Sequence, residues 1–202
     1  MKKQLFIKDF EALTHELQLL DPEELTLIGV DGRPCSGKTT LAMQLTQQLN
    51  AQIIHIDEFF IPQQQWPAAP QPTFPFFYLK HEEFAHGLQK LMSGVAFTYF
   101  WHDWQVGSSS CPKIVTPRGP IVIEGVSVLH HKISDLYNTK IWVASELKTE
   151  HAALETRECG HNAREWENIY LPSVNLYTVQ RPWEHADIMY AGRGIADWDI
   201  LH

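Results

Sequence analysis

Cysteine is scarce in this chain and unpaired in pattern. Cys35, Cys111 and Cys159 are the whole complement of three, and no C-x-x-C spacing joins them, which argues against a disulfide scaffold or a thiolate metal knuckle. There are eleven histidines, with His130 and His131 adjacent, but no H-E-x-x-H segment, so a zinc centre is not expected. Positive charge is in deficit. Sixteen Lys and Arg face twenty-four Asp and Glu, a formal net charge of −8 with no block of like sign, which disfavours a broad basic surface for duplex nucleic acid or an anionic membrane. No apolar run approaches the roughly 18 residues needed to span a bilayer. The opening MKKQLFIKDFE meets acidic residues too soon for a signal-peptide core, giving the expectation of a cytoplasmic protein. What is present is ordinary globular material: 202 residues, 44% hydrophobic and 20% charged, enough for one domain with a sizeable core.

Periodicity divides the chain into alternating elements. Phe10, Leu13, Leu17 and Leu20 recur at helical spacing over residues 8–20, predicting an amphipathic N-terminal helix within 1–24. Leu25–Asp31 is a short apolar strand, Lys38–Leu49 repeats leucine every four residues, and Ala51–Ile56 is again a strand, so the three form a βαβ unit. Between Phe59 and Leu79 lie five prolines, four glutamines and a group of aromatics, a composition expected of a functional excursion, not of a plain linker. A helix is predicted over Lys80–Met92, followed by the aromatic segment Phe97–Trp104. Pro120–Leu129, Lys140–Ala144 and Ala186–Tyr190 read as further strands, and Leu147–Arg157 and Ala163–Leu171 as helices. The alternation predicts an α/β protein, residues 1–202 as one domain, with a mostly parallel five-stranded sheet in a three-layer sandwich.

One motif carries chemistry outright. Gly32-Arg33-Pro34-Cys35-Ser36-Gly37-Lys38-Thr39 matches G-x-x-x-x-G-K-[ST] and sits between a predicted strand and a predicted helix. Such a loop turns successive backbone N–H groups onto phosphate oxygens at a helix N-terminus, Lys38 reaches the β- and γ-phosphates, and the Thr39 hydroxyl is placed for Mg²⁺; Thr40 follows in the first helical turn. The nearest approach to the guanine motif N-K-x-D is Asn138-Thr139-Lys140-Ile141, which lacks its lysine and aspartate positions, so a GTPase switch is disfavoured.

Two acids point further. Asp57, in Ile56-Asp57-Glu58-Phe59-Phe60, follows a strand at the sheet edge where open α/β folds bind ligands, and could orient an acceptor hydroxyl or hold Mg²⁺ through water, or simply cap a turn. Glu124, inside IVIEGV, needs a partner if buried; Mg²⁺-bound water or Lys38 would supply one, as would an ordinary core contact.

Taken together, DGRPCSGKTT, IDEFF, HDWQ, IVIEGV and the stretch from Arg157 to Asp187 resemble the uridine kinase-like branch of the P-loop kinases, related to phosphoribulokinase and pantothenate kinase, over about Leu25–Gly192. The resemblance implies a P-loop NTPase fold with a helical lid, here about 145–181, and a substrate-binding excursion, here about 59–105. It implies ATP and Mg²⁺ as cofactors, Asp57 as the catalytic aspartate with Glu58 beside it, and His102, Asp103 and Trp104 at the acceptor pocket. Glu124 would lie beside the metal together with Thr39 and Asp57, and Arg157 and Arg164 would be lid arginines over the phosphates. The chain departs from the pattern in two places: Arg157-Glu158-Cys159-Gly160 stands where R-D-G is usual, and His102 stands where tyrosine is common.

The function expected is transfer of the ATP γ-phosphoryl group to a hydroxyl of a small neutral acceptor, nucleoside or sugar-like, with Lys38, Asp57 and Arg157 as the catalytic set. Aromatics within Phe97–Trp104 and Phe74–Tyr78 either stack on such an acceptor or fill the core. The altered lid keeps a second reading open, a nucleotide-binding regulator without acceptor phosphorylation. A homo-oligomer is left open as well.

Overall fold

Strands buried on both faces still alternate, because successive side chains feed different layers. In the computed structural model, which describes residues 3–18, 21, 23–66, 69, 75–103, 111–157 and 163–195, Ile28 and Val30 of β2 (Thr26–Gly32), Val122 of β6 (Pro120–Glu124) and Ile141 and Val143 of β7 (Thr139–Ala144) pack with Leu13, Leu17, Leu41 and Leu45. Their neighbours Leu27, Ile121, Ile123 and Trp142 face the opposite way, toward Phe84, Leu88 and Tyr177. Helices α1 (Phe10–Leu17) and α2 (Lys38–Gln48) therefore cover one side of the sheet, and α3 (His81–Met92) and α6 (Leu171–Val179) the other.

Among the described residues the sheet has six strands, not five, all parallel, in the order β1 (Leu5–Ile7), β8 (Ile188–Ala191), β7, β2, β6, β3 (Gln52–His55). The extra strand is β1, paired with β8 at one edge. Three residues are too few for a period to show, and the adjacent helix starts later than its periodicity suggests, at Phe10, because Asp9 accepts a hydrogen bond from the Ala12 N–H at 2.7 Å. The unit formed by β2, α2 and β3 spans an intervening strand, since β6 lies between β2 and β3. Asn138 belongs to this framework: its side-chain oxygen accepts the Leu27 N–H at 2.8 Å.

Two further segments differ from expectation. The aromatic segment is a strand, β4 (Phe97–Phe100), in an antiparallel pair with β5 (Pro112–Val115). The helical run expected to end at Leu171 continues to Val179. After α4 (Leu147–Arg157), α5 (Ala163–Glu165) passes directly into a wide π turn, Trp166–Tyr170, and then into α6. Pro172 explains the widening, since it has no N–H to donate and its ring crowds the preceding turn.

The excursion is closed at its base. Phe60 bridges Leu79, the Ile61 N–H donates to Tyr78 O at 2.9 Å, and the Lys80 N–H donates to Phe59 O at 2.7 Å. Among the described residues no helix is long and apolar enough to cross a membrane.

Candidate active site

The carboxyl ends of β2, β6 and β3 meet at one edge of the sheet. Parallel register sets Glu124 level with Val30 on one side and His55 on the other. The loop after β2 then turns into α2 through Gly37, whose φ of 102° is open to glycine and strained for other residues. Lys38 opens the helix and is nearly buried, and Thr39 and Thr40 follow on its exposed side. Ser36 is fully buried beneath the loop, while Arg33, Pro34 and Cys35 are half-buried.

Glu124 is 4% exposed. One carboxylate oxygen lies 2.6 Å from His55 Nδ1, and its two oxygens lie 3.4 and 3.3 Å from Thr39 Oγ1. Burial alone would push this carboxyl up, but the His55 hydrogen bond, the charges of Lys38 and His55 and the Thr39 hydroxyl together hold it below its ordinary value. His55 responds in the opposite sense, raised chiefly by its bond to Glu124 against the effect of burial. An ionised carboxylate and a hydroxyl at the mouth of a phosphate loop are hard oxygen donors of the kind Mg²⁺ takes.

Gly125 is required where it stands. A Cβ there would sit 2.2 Å from Ile56 Cγ2, and its φ is 141°. Its absence lets the end of β6 press against the 3₁₀ turn Ile56–Phe59, which carries Asp57 and Glu58. Asp57 is exposed and close enough to Tyr78 that, after burial, its charge helps push the Tyr78 hydroxyl up. Glu58 is otherwise engaged: Tyr99 Oη and Lys113 Nζ each lie 2.5 Å from its carboxylate, tying the β4–β5 hairpin to the turn.

Of the acceptor candidates, His102 is half-buried, donates its backbone N–H to Glu58 O at 2.7 Å and has its ring 6.1 Å from that of Phe60. Asp103 is half-buried beside it, and Trp104 lies outside the described residues. Phe97, Tyr99 and Phe76 are core: they are 3%, 1% and 1% exposed and pack against Phe59 or Tyr177. Tyr78, the ring whose hydroxyl feels the charge of Asp57, stacks on Phe60 at 5.0 Å, with Trp66 and Tyr170 against it.

The arginines divide. Arg33 Nε donates to Glu150 Oε2 at 2.8 Å, and Arg33 Nη1 reaches Thr178 Oγ1 at 3.5 Å, so this side chain braces the loop against α4 and α6. Arg164 is exposed on α5, and Arg157 ends α4. Residues Glu158, Cys159 and Gly160 lie outside the described residues.

Three residues at the site carried no reading in the sequence. His55 orients Glu124, as above. Asp31, fully buried, accepts the N–H groups of Gly32 (2.7 Å), Ser127 (3.2 Å) and Leu129 (2.7 Å) and the Tyr177 hydroxyl (2.6 Å). Burial nevertheless pushes its carboxyl up to about 6. Arg193, after β8, donates its N–H to Ser36 O at 3.1 Å and lies along Gly37. Only Asp31 had a visible signal, its place directly before the first glycine of the loop.

No family model matches the chain. It is 28% identical to a uridine kinase of Brevibacillus brevis over 159 residues, 74% of each chain. It is 28% identical to uridine kinase-like protein 4 of Arabidopsis thaliana over 146 residues, 69% of this chain but 31% of that longer protein. In fold it resembles a possible uridine kinase from Bacillus stearothermophilus, with a TM-score of 0.70 at 18% identity covering 89% of this chain and 96% of the other. A D-glycerate 3-kinase from Cryptococcus neoformans shares the fold at a TM-score of 0.51 and 14% identity, over 82% and 84% of the two chains.

Proposed function

We infer that this chain, which belongs with the uridine kinase-like P-loop kinases, transfers the γ-phosphoryl group of ATP to a hydroxyl of a small acceptor of nucleoside or sugar-like type. The supporting observation is the convergence at one sheet edge of the phosphate loop, the Thr39–Glu124–His55 cluster and the turn bearing exposed Asp57. In this reading Gly32–Thr40 cradle the phosphates, with backbone N–H groups and the N-terminus of α2 facing them. Lys38 balances charge on the β- and γ-oxygens. Thr39 and Glu124 would hold Mg²⁺, with Asp57 within reach through water, and the ion would supply charge neutralisation at the phosphates.

Asp57 accepts the acceptor's hydroxyl proton, or orients that hydroxyl, as the phosphoryl group departs. Its exposure suits a group that must meet a diffusing acceptor. His102, Asp103 and Trp104 line the acceptor side, and Arg157 and Arg164 supply positive charge from the lid region, 145–181. The described part of the 59–105 excursion brings the Tyr78 ring near Asp57, with Phe60, Trp66 and, from the lid region, Tyr170 packed on that ring, a lining suited to the face of a neutral nucleoside or sugar-like acceptor. The enzyme is proposed to work in the cytoplasm.

The test is ADP release from Mg-ATP against a panel of nucleosides, pentoses, hexoses and small alcohols, with Asp57→Asn alongside. Acceptor-dependent release that Asp57→Asn abolishes while ATP binding persists is the expected result; undiminished turnover in that variant would remove Asp57 from its role. The departure at Arg157-Glu158-Cys159-Gly160 favours one second reading, a nucleotide-binding regulator. ATP binding with no release across the panel would move weight to it.

A further inference from the structure

The helical run over residues 163–179 touches both halves of the site. Near its start, Glu165 Oε1 accepts a hydrogen bond from Gln63 Nε2 at 2.8 Å, and Tyr170 lies against Phe60, Trp66 and Tyr78 with ring centroids 6.1, 5.7 and 5.4 Å away. Near its end, the Tyr177 hydroxyl donates to Asp31 at 2.6 Å and Thr178 meets Arg33, on either side of the first glycine of the phosphate loop. Tyr170 and Tyr177 are seven residues apart, so they share one face about 10 Å apart along the axis. A second line of contact runs parallel: Tyr170 to Tyr78, Tyr78 to Phe76 at 5.9 Å, and Phe76 to Tyr177 at 5.2 Å. Ser173, between the two tyrosines on the same face, is fully buried.

We propose that this helix is a strut coupling the acceptor excursion to the phosphate loop, with Tyr177 the positioning residue at the nucleotide end and Tyr170 its counterpart at the acceptor end. The inference rests on the kinase assignment above. Asp31 is a suitable pin. Its two oxygens take four donors from three separate parts of the fold, the loop entry, the turn after Glu124 and the strut. A shift of the loop as nucleotide seats is thereby passed to Tyr177, and a rigid helix passes it on to the rings of Phe60, Trp66 and Tyr78. The wide turn at Trp166–Tyr170 sits at the end where the excursion docks, and such turns are places where a helix can change register. Contact alone does not establish coupling, so the test must measure energy transmitted between the sites.

The experiment is amide hydrogen exchange on the full chain, with and without saturating Mg²⁺ and a non-hydrolysable ATP analogue, read on peptides covering 59–66 and 75–79. Wild type is expected to show exchange there slowed about 5-fold or more on nucleotide binding, the low end of ordinary intersite coupling. Tyr177→Phe keeps the ring and removes only the hydroxyl. It is expected to hold nucleotide affinity within about threefold, again by the scale of that coupling, and to lose the distant protection. Tyr170→Leu, at a half-exposed position with less risk to folding, should do the same from the other end. Distant protection retained in both variants would overturn the proposal, as would nucleotide binding to wild type with no distant protection. Failure of wild type to bind nucleotide at all would overturn the kinase assignment and the strut with it.

Discussion

His55 Nδ1 lies 2.6 Å from Glu124 Oε1, and the same carboxylate faces the Thr39 hydroxyl at the mouth of the phosphate loop. One imidazole thus sets the direction of the carboxylate that would meet the metal. Partners of this kind typically tune metal affinity by about 10- to 100-fold when removed. His55→Ala is expected to raise the Mg²⁺ concentration giving half-maximal ADP release by about tenfold, within that range, with a smaller change in maximal rate, whereas Glu124→Gln should depress the rate itself. A Mg²⁺ titration of both variants checks this, and an unchanged midpoint in His55→Ala would remove the histidine from the site.

Arg33 stands inside the phosphate loop yet spends its guanidinium on Glu150, which is 3% exposed. Removing the arginine strands a buried carboxylate that keeps, among the described residues, a contact with the Ser145 hydroxyl. Arg33→Ala should therefore cost about 3 kcal/mol of stability, as breaking one side of a buried pair commonly does, while nucleotide affinity falls only a few-fold. Denaturant unfolding and calorimetry separate the two effects; a large loss of affinity with stability intact would make Arg33 a phosphate ligand instead.

Gly125→Ala tests the junction between β6 and the turn of Asp57. The added methyl would sit 2.2 Å from Ile56 Cγ2 on a backbone with φ of 141°, so steric and conformational strain add. A loss of about 3 kcal/mol or more is expected. Where the protein still folds, phosphoryl transfer should fall further than nucleotide binding, because the displaced turn carries Asp57 and not the phosphate loop. Wild-type stability by thermal melting would refute the packing argument.

His81 and His130 make stability fall in acid. They are 7% and 0% exposed, their rings 5.6 Å apart, and burial holds them down to about 4 and about 3, helped by the charges of Lys132 and His131 and, for His130, of His81. The unfolded chain binds protons near 6.5 and the folded chain refuses them. Stability is therefore full above about 6.5 and declines as pH falls toward about 4, by up to about 1.4 kcal/mol per unit for each histidine. The melting temperature should drop several degrees between pH 7 and pH 5, and His81→Gln should flatten that slope. A flat profile over the same interval in wild type would contradict the assignment.

The phosphate loop and the carboxylates Asp57 and Glu124 were legible because each is a local matter: residue types at fixed offsets beside a strand end. The strands β2, β6 and β7 were legible for the same reason, as short apolar runs bounded by turn residues. β1 was not, since three residues show no period and only pairing with β8, more than 180 residues away, makes them a strand. The aromatic segment 97–100 carried no sign that it would pair with 112–115, and two of its three rings, Phe97 and Tyr99, fill the core.

By itself the sequence determined the chemistry available to this protein: glycines, a lysine and a threonine that make a phosphate cradle, and two acids at strand ends, because backbone geometry over eight residues is a short-range property. Tertiary structure alone decided what those groups work with. Glu124 meets His55 across 69 residues, Asp31 meets Tyr177 across 146, and Arg33 is drawn away to Glu150 across 117. The physical reason is that a buried charge must find its donors wherever the fold brings them, and no local pattern records where that will be.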